Sequence, residues 1–320
     1  MIQYKLLFLF FWCTFFTVQG QNFEYVAIDQ PDSLNLYIND EESTDLYYWK
    51  LVPSTPVKGV IVILPSGGER AEMVIPQVQL PQLAAEQGIL TVVPSINWGT
   101  EDRHAEIALI NGILDTLEQH YHFPKENVVL GGLSNGGVVA LTYAEQAAQH
   151  PTLTYTIPKG VFGLDVPLDK AHLYAYCERE IARGTSEVGM NEARWIKNNY
   201  QQTYGGSPQE FPERYVNASI YSYGVKHGGN AQYLKQMPIR MYTDLDVNWL
   251  LNQRGRDLYD WNGTDIVAMI NDLRHMGNTD ANVIISMGKG IRPDGSRHPH
   301  SWSILDNEDC LNWILTLFEK

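Results

Sequence analysis

The chain has 320 residues and a formal net charge of −14. No strongly basic stretch offsets that charge, which excludes nucleic acid and anionic membrane surfaces as natural partners. A chain of this length is ample for one large α/β domain with a buried core.

The N-terminus does not belong to that domain. Met1 to Lys5 is short and positively charged, Leu6 to Phe16 is almost wholly apolar, and Val18-Gln19-Gly20 offers small residues to a processing enzyme. This pattern is a secretory signal peptide; the apolar run is shorter than the roughly 20 residues of a membrane span. Residues 1–20 are therefore expected to be removed, leaving a mature domain over 21–320. The location is secreted or periplasmic, without a stable membrane anchor after cleavage. Cys13 leaves with the signal. The remaining Cys177 and Cys310 make no disulfide framework, and Cys310, on the apolar side of a C-terminal helix, reads as a buried thiol.

Leu34 to Val52 alternates and carries aromatics, the pattern of two antiparallel strands. Gly59 to Pro65 is a continuous apolar run, expected of a strand buried on both faces, and ends in Ser66-Gly67-Gly68. A helix from about Val74 to Gln87 closes at Gly88, a strand follows over Leu90 to Pro94, and Arg103 to His122 reads as a long amphipathic helix. Asn127 to Gly132 is another buried strand and Gly136 to Gln149 a helix. Further strands are read at Gly160–Gly163, Pro238–Tyr242 and Asn282–Ser286, and a last helix at Leu305–Leu317. Strands alternating with helices predict an α/β fold, a mostly parallel sheet with helices on both faces and an antiparallel edge. The interval of about 166–237 is far longer than the dozen or so residues a crossover needs. It reads as an inserted cap over the edge of the sheet where ligands bind in such folds.

Gly132-Leu133-Ser134-Asn135-Gly136 is a G-x-S-x-G motif between a buried strand and a helix. The pentapeptide alone is weak evidence; that strand–turn–helix context makes it a nucleophile elbow. The turn is sharp, so its flanking positions must be small, and it lifts the Ser134 hydroxyl to the top of the sheet. The Asn135 amide then faces the position of an oxyanion, and the Gly67-Gly68 turn is the place for the second donor. The sequence leaves the choice between Gly67 and Gly68 open.

A serine nucleophile needs a histidine base and a carboxylate to orient it. In chain order these follow the serine, each just past a strand. Asp244 and Asp246 both qualify after the Pro238–Tyr242 strand; Asp246, lying further beyond the strand end, is favoured, with Asp244 a turn-capping residue. Asp165 and Asp169, after the preceding strand, are the alternative position. His298 and His300 follow the last strand, and His300 is favoured because His300-Ser301-Trp302 abuts the final helix. His275 reads as a helix C-terminal cap.

Together these residues resemble the α/β-hydrolase superfamily over nearly all of the mature chain. Gly131-Gly132-Leu133-Ser134-Asn135-Gly136-Gly137 is similar to secreted esterases of the feruloyl and acetyl-xylan groups and to esterase-D-like enzymes, whose histidine segment His300-Ser301-Trp302 also resembles. The chain departs from them in lacking a His-Gly at the oxyanion turn and in its large cap. The resemblance implies cofactor-free and metal-free hydrolysis of carboxylic esters through an acyl-enzyme, on a small-molecule or acylated carbohydrate substrate. Two other readings stand beside it. One is a peptidase of the same fold, with Glu178, Glu180, Glu187 and Glu192 of the cap receiving a peptide N-terminus. The other is a non-catalytic carbohydrate binder using Trp98, Trp195, Trp249 and Trp261.

Overall fold

The computed structural model describes residues 22–29, 46–96 and 103–320. The signal segment and the first of the two expected strands in Leu34–Val52 lie outside them. Eight strands form one sheet: β1 (Glu24–Ile28), β2 (Leu46–Leu51), β3 (Gly59–Leu64), β4 (Ile89–Pro94), β5 (Val128–Leu133), β6 (Gly160–Leu164), β7 (Ile239–Asp244) and β8 (Ala281–Ser286). Their order is β1-β2-β4-β3-β5-β6-β7-β8. β1 and β2 are the antiparallel edge, and all pairings from β4 to β8 are parallel. β1 was not read from the sequence, because its five residues are mostly exposed and carry no strand-length apolar pattern.

Helices follow the strands: α1 (Ala71–Val74), α2 (Leu80–Glu86), α3 (His104–Tyr121), α4 (Asn135–Gln149), α5 (Lys170–Arg183), α6 (Glu187–Tyr204), α7 (Pro212–Ala218), α8 (Val247–Trp249), α9 (Asn262–His275) and α10 (Asn307–Phe318). The single helix expected near 74–87 is broken into α1, a 3-10 turn and α2, with Pro76 and Pro81 each in the first turn of the element it opens. Proline has no amide hydrogen to continue a preceding helix.

The parallel strands are buried on both sides, so their side chains feed two cores. Val60, Val62 and Leu64 of β3 join α3, α4 and α9 on one face, while Ile61 and Ile63 join α1, α2 and α10 on the other. Each such side chain contributes about 1.5–3 kcal/mol of apolar burial. The chain steps from β3 to β4 in one direction and then crosses to β5 on the other side of β3. The carboxyl ends of β3 and β5 therefore flank the switch point where open α/β sheets open a crevice.

The 166–237 interval carries α5, α6 and α7. Its helices hold small cores of their own, Tyr174, Tyr204 and Tyr215 in one and Tyr176, Cys177 and Ala193 in another. Cys177 and Cys310 are both buried free thiols.

Candidate active site

Ser134 sits between the last residue of β5 and the first of α4, with φ 54° and ψ −120°. Such a conformation is costly for a residue with a Cβ and persists only when its surroundings enforce it. The enforcement is visible. The Ser134 amide donates to the Leu164 carbonyl at 2.9 Å and its carbonyl accepts from the Val138 amide at 3.1 Å. The flanking glycines are obligatory: a Cβ on Gly132 would fall 2.5 Å from the Leu64 carbonyl oxygen, and one on Gly136 only 2.1 Å from it. The G-x-S-x-G spacing is thus a packing requirement between the turn and the end of β3.

The serine opens into a cavity of about 450 Å³ lined by Asn135, His298, His300, Trp261 and residues of α5 and α6. Asn135 begins the 15-residue α4, so its amide belongs to the electropositive helix end. The Asn135 Oδ1 accepts from the Arg103 guanidinium at 2.9 Å, and Arg103 also pairs with Glu106 at 2.9 Å. Gly67 and Gly68 form the turn beyond β3, where Gly68 takes a φ of 77°. Among the described residues, neither glycine lines the cavity.

His300 donates from Nδ1 to Asp165 Oδ2 at 2.6 Å. A carboxylate only accepts, so this bond places the ring proton on Nδ1 and leaves Nε2 as the basic nitrogen. The Asp165 side chain is fully buried and that of His300 a quarter exposed. Asp165 lies directly after β6 with φ 42°, and Asn262 donates to its carbonyl at 2.9 Å. Trp261 meets the His300 ring edge-on at 6.5 Å.

The expectation that Asp246 orients His300 is corrected. Asp246 caps α8 through the Trp249 amide at 3.0 Å and pairs with Arg297 at 2.9 Å. Asp244 accepts from the amides of Gly288 and Gly290 at 2.9 and 2.7 Å and from Arg297 at 3.0 Å. Both aspartates hold the loop after β8 rather than touching the histidine ring. Asp169 caps α5, accepting from the Ala171 and His172 amides at 2.9 and 3.1 Å. The preference for a carboxylate lying further beyond its strand is what failed, since Asp165 is the first residue past β6.

His298 is not equivalent to His300. Its Nδ1 accepts from the His300 amide at 3.1 Å, Arg254 Nη2 approaches its Nε2 at 2.8 Å, and Trp249 packs edge-on at 4.9 Å. Burial, then the nearby Arg292, His300 and Arg254, drive its pKa down to about 3. A second histidine–carboxylate pair went unread in the sequence: His172 Nδ1 and Asp265 Oδ2 lie 2.8 Å apart on the cavity wall. Burial opposes a charged His172, but the Asp265 carboxylate outweighs it and raises the pKa above the ordinary value.

Two of the four acidic residues considered for peptide capture are committed elsewhere. Glu178 pairs with Lys197 at 2.8 Å and the buried Glu180 with Arg256 at 3.0 Å. Only Glu192 of the four lines the cavity. Among the described residues, no three His, Cys, Asp or Glu side chains converge as metal ligands. No described helix is long and apolar enough to cross a membrane.

No protein-family profile matches the sequence, and no curated protein matches it significantly. Solved structures do match. An acylaminoacyl peptidase from Pyrococcus horikoshii is similar over 95% of this chain, at 15% identity and TM-score 0.54. This chain spans only 41% of that protein's length. An S-formylglutathione hydrolase from Agrobacterium tumefaciens matches over 93% of this chain and 96% of its own, at 12% identity and TM-score 0.55. Esterase B from Lactobacillus rhamnosis matches over 94% and 88%, at 13% identity and TM-score 0.54. The chain has the α/β-hydrolase fold.

Proposed function

We propose that this protein is an exported serine hydrolase that cleaves carboxylic esters, with Ser134 as nucleophile, His300 as base and Asp165 as the orienting carboxylate. The observation that carries the proposal is the pairing, around one cavity, of a serine on an enforced strained turn with a histidine whose Nδ1 is held by a buried carboxylate. Strain of this kind concentrates where chemistry needs it.

In this reading the Ser134 oxygen attacks the ester carbonyl carbon while its proton passes to His300 Nε2. The carbonyl electron pair moves onto oxygen, which accepts a hydrogen bond from the Asn135 amide at the cavity wall. Collapse of this intermediate expels the alkoxide, which takes the proton from His300, and leaves an acyl-Ser134 ester. Water then attacks the acyl carbon, giving its proton to His300, and Ser134 departs with that proton. Asp165 accepts from the His300 Nδ1–H throughout and holds the imidazolium that forms at each transfer.

The helices of 166–237 serve as the cap over the substrate; α5 and α6 side chains line the cavity that Ser134 opens into. The commitment of Glu178 and Glu180 to other partners favours an ester over a peptide; S-formylglutathione hydrolase and esterase B, whose whole length this chain nearly spans, support that reading more than the acylaminoacyl peptidase, of which it spans 41%. Export follows from the N-terminal signal pattern. The reading is tested with 4-nitrophenyl esters and aminoacyl 4-nitroanilides on wild type and Ser134→Ala. Ser134-dependent release from esters alone supports it. Anilide cleavage without ester cleavage overturns it in favour of a peptidase.

A further inference from the structure

The cavity wall beside His300 holds cations that the triad does not use. Arg103 and Arg256, which also line the cavity, are neutralised by Glu106 and Glu180. Arg254 and Arg292 differ: among the described residues neither has a carboxylate within salt-bridge distance, although both line the same cavity. The cavity's own carboxylates are largely committed, Asp265 to His172, Asp260 to Arg179 and Arg183, and Asp169 to backbone amides. Glu192 alone is left to face two guanidiniums. In a chain with a net charge of −14, an uncompensated cationic wall beside the reacting histidine is against the general trend.

The donors there also conflict. The His300 backbone amide points at His298 Nδ1, at 3.1 Å, and backbone N–H groups only donate. Nδ1 is therefore the acceptor, and the single proton of the neutral ring sits on Nε2. Yet Arg254 Nη2 lies 2.8 Å from that same Nε2. Two N–H groups thus converge with no acceptor between them. Trp249, beneath the Arg254 guanidinium at 5.3 Å and edge-on to His298, holds both groups in place. An oxygen anion in the cavity within hydrogen-bond reach of both groups would accept from each and remove the conflict, with Arg292 adding charge from the loop after β8.

The geometry points to Arg254, Arg292 and the Nε2–H of His298 as an anion subsite that selects ester substrates bearing a carboxylate. This deepens the ester-hydrolase reading and rests on it for the word substrate. A planar guanidinium fork matches a carboxylate, and such charge-assisted bonds are the strong ones.

The test compares 4-nitrophenyl hemiglutarate, its neutral methyl glutarate analogue and a sulfonate-bearing analogue, as kcat/KM ratios. Wild type is expected to favour the hemiglutarate over the neutral ester. Arg254→Gln should lower that ratio by about tenfold or more, the loss of one charge-assisted hydrogen bond. Arg254→Lys should restore part of it, and Arg292→Gln should lower it less. A ratio of one or below in wild type, or one unchanged in Arg254→Gln, overturns the subsite. A preference for the sulfonate over the carboxylate overturns the carboxylate assignment. Calorimetric titration of glutarate into Ser134→Ala, with and without Arg254→Gln, separates this from failure of the hydrolase reading. If no ester is turned over, Arg254-dependent glutarate binding still supports the anion site, and absent or Arg254-independent binding overturns it.

Discussion

Asp165→Asn isolates the role of the orienting carboxylate. Asparagine tolerates the positive φ of this position, so the backbone at φ 42° is kept. What changes is the partner of His300. The 2.6 Å bond to Asp165 Oδ2 is short and charge-assisted, and the other side-chain contacts of this carboxylate, Thr243 and Asn262, stand off at 3.4 Å. Nearly all of its electrostatic work is therefore done on His300. An amide in its place favours the wrong ring tautomer and cannot stabilise the imidazolium. The expected loss is about 10⁴-fold in kcat, or about 5.5 kcal/mol of barrier. Asp246→Asn is the matched control. It breaks a partly exposed pair with Arg297, worth about 0–1 kcal/mol, while asparagine still caps α8. The assay is kcat and KM on a 4-nitrophenyl ester, with thermal melting of each variant. Near-wild-type turnover in Asp165→Asn, or a collapse in Asp246→Asn with stability intact, would refute the reasoning.

Three further outcomes follow from the same geometry. Ser134→Gly should abolish turnover yet raise stability by about 1 kcal/mol in urea titration, since it releases the strain of φ 54° at some entropic cost. Gly136→Ala should lose activity and about 3 kcal/mol or more of stability, because its Cβ would meet backbone oxygens of Leu64 and Pro65 at 2.1 and 2.6 Å. Glu145 is buried on α4 with an unbonded Oε1, and burial raises its pKa well above the ordinary value. The folded state thus binds this proton more tightly than the unfolded state does. Its contribution is present below the unfolded pKa of about 4.3 and is lost as pH rises through the folded value. Glu145→Gln should remove this decline, as a smaller fall in melting temperature between pH 5 and pH 8.

The parts of this fold that were legible in the sequence are those whose pattern has one physical cause. β3, β4 and β5 read as continuous apolar runs because both faces are buried, and the elbow read from its glycines because nothing larger fits beside Leu64. What did not read was pairing across the chain. Asp165 and His300 are 135 positions apart, and four aspartates, Asp165, Asp169, Asp244 and Asp246, lie at or past the ends of the two strands that could supply the acid. Only the fold shows that Asp244 and Asp246 are spent on Arg297 and the amides of Gly288 and Gly290. Arg254 and Arg292 carried no local signal at all. A guanidinium looks solvated in sequence until the carboxylates around it are seen to be committed elsewhere.

The central claim is that Ser134 is the nucleophile activated by His300, and covalent labelling tests it most directly. The mature protein is incubated with a fluorophosphonate at neutral pH and measured by intact and peptide mass spectrometry. The account predicts one adduct per chain, on Ser134, absent in Ser134→Ala and formed far more slowly in His300→Ala. An unlabelled wild type, an adduct on another residue, or undiminished labelling of His300→Ala would contradict it.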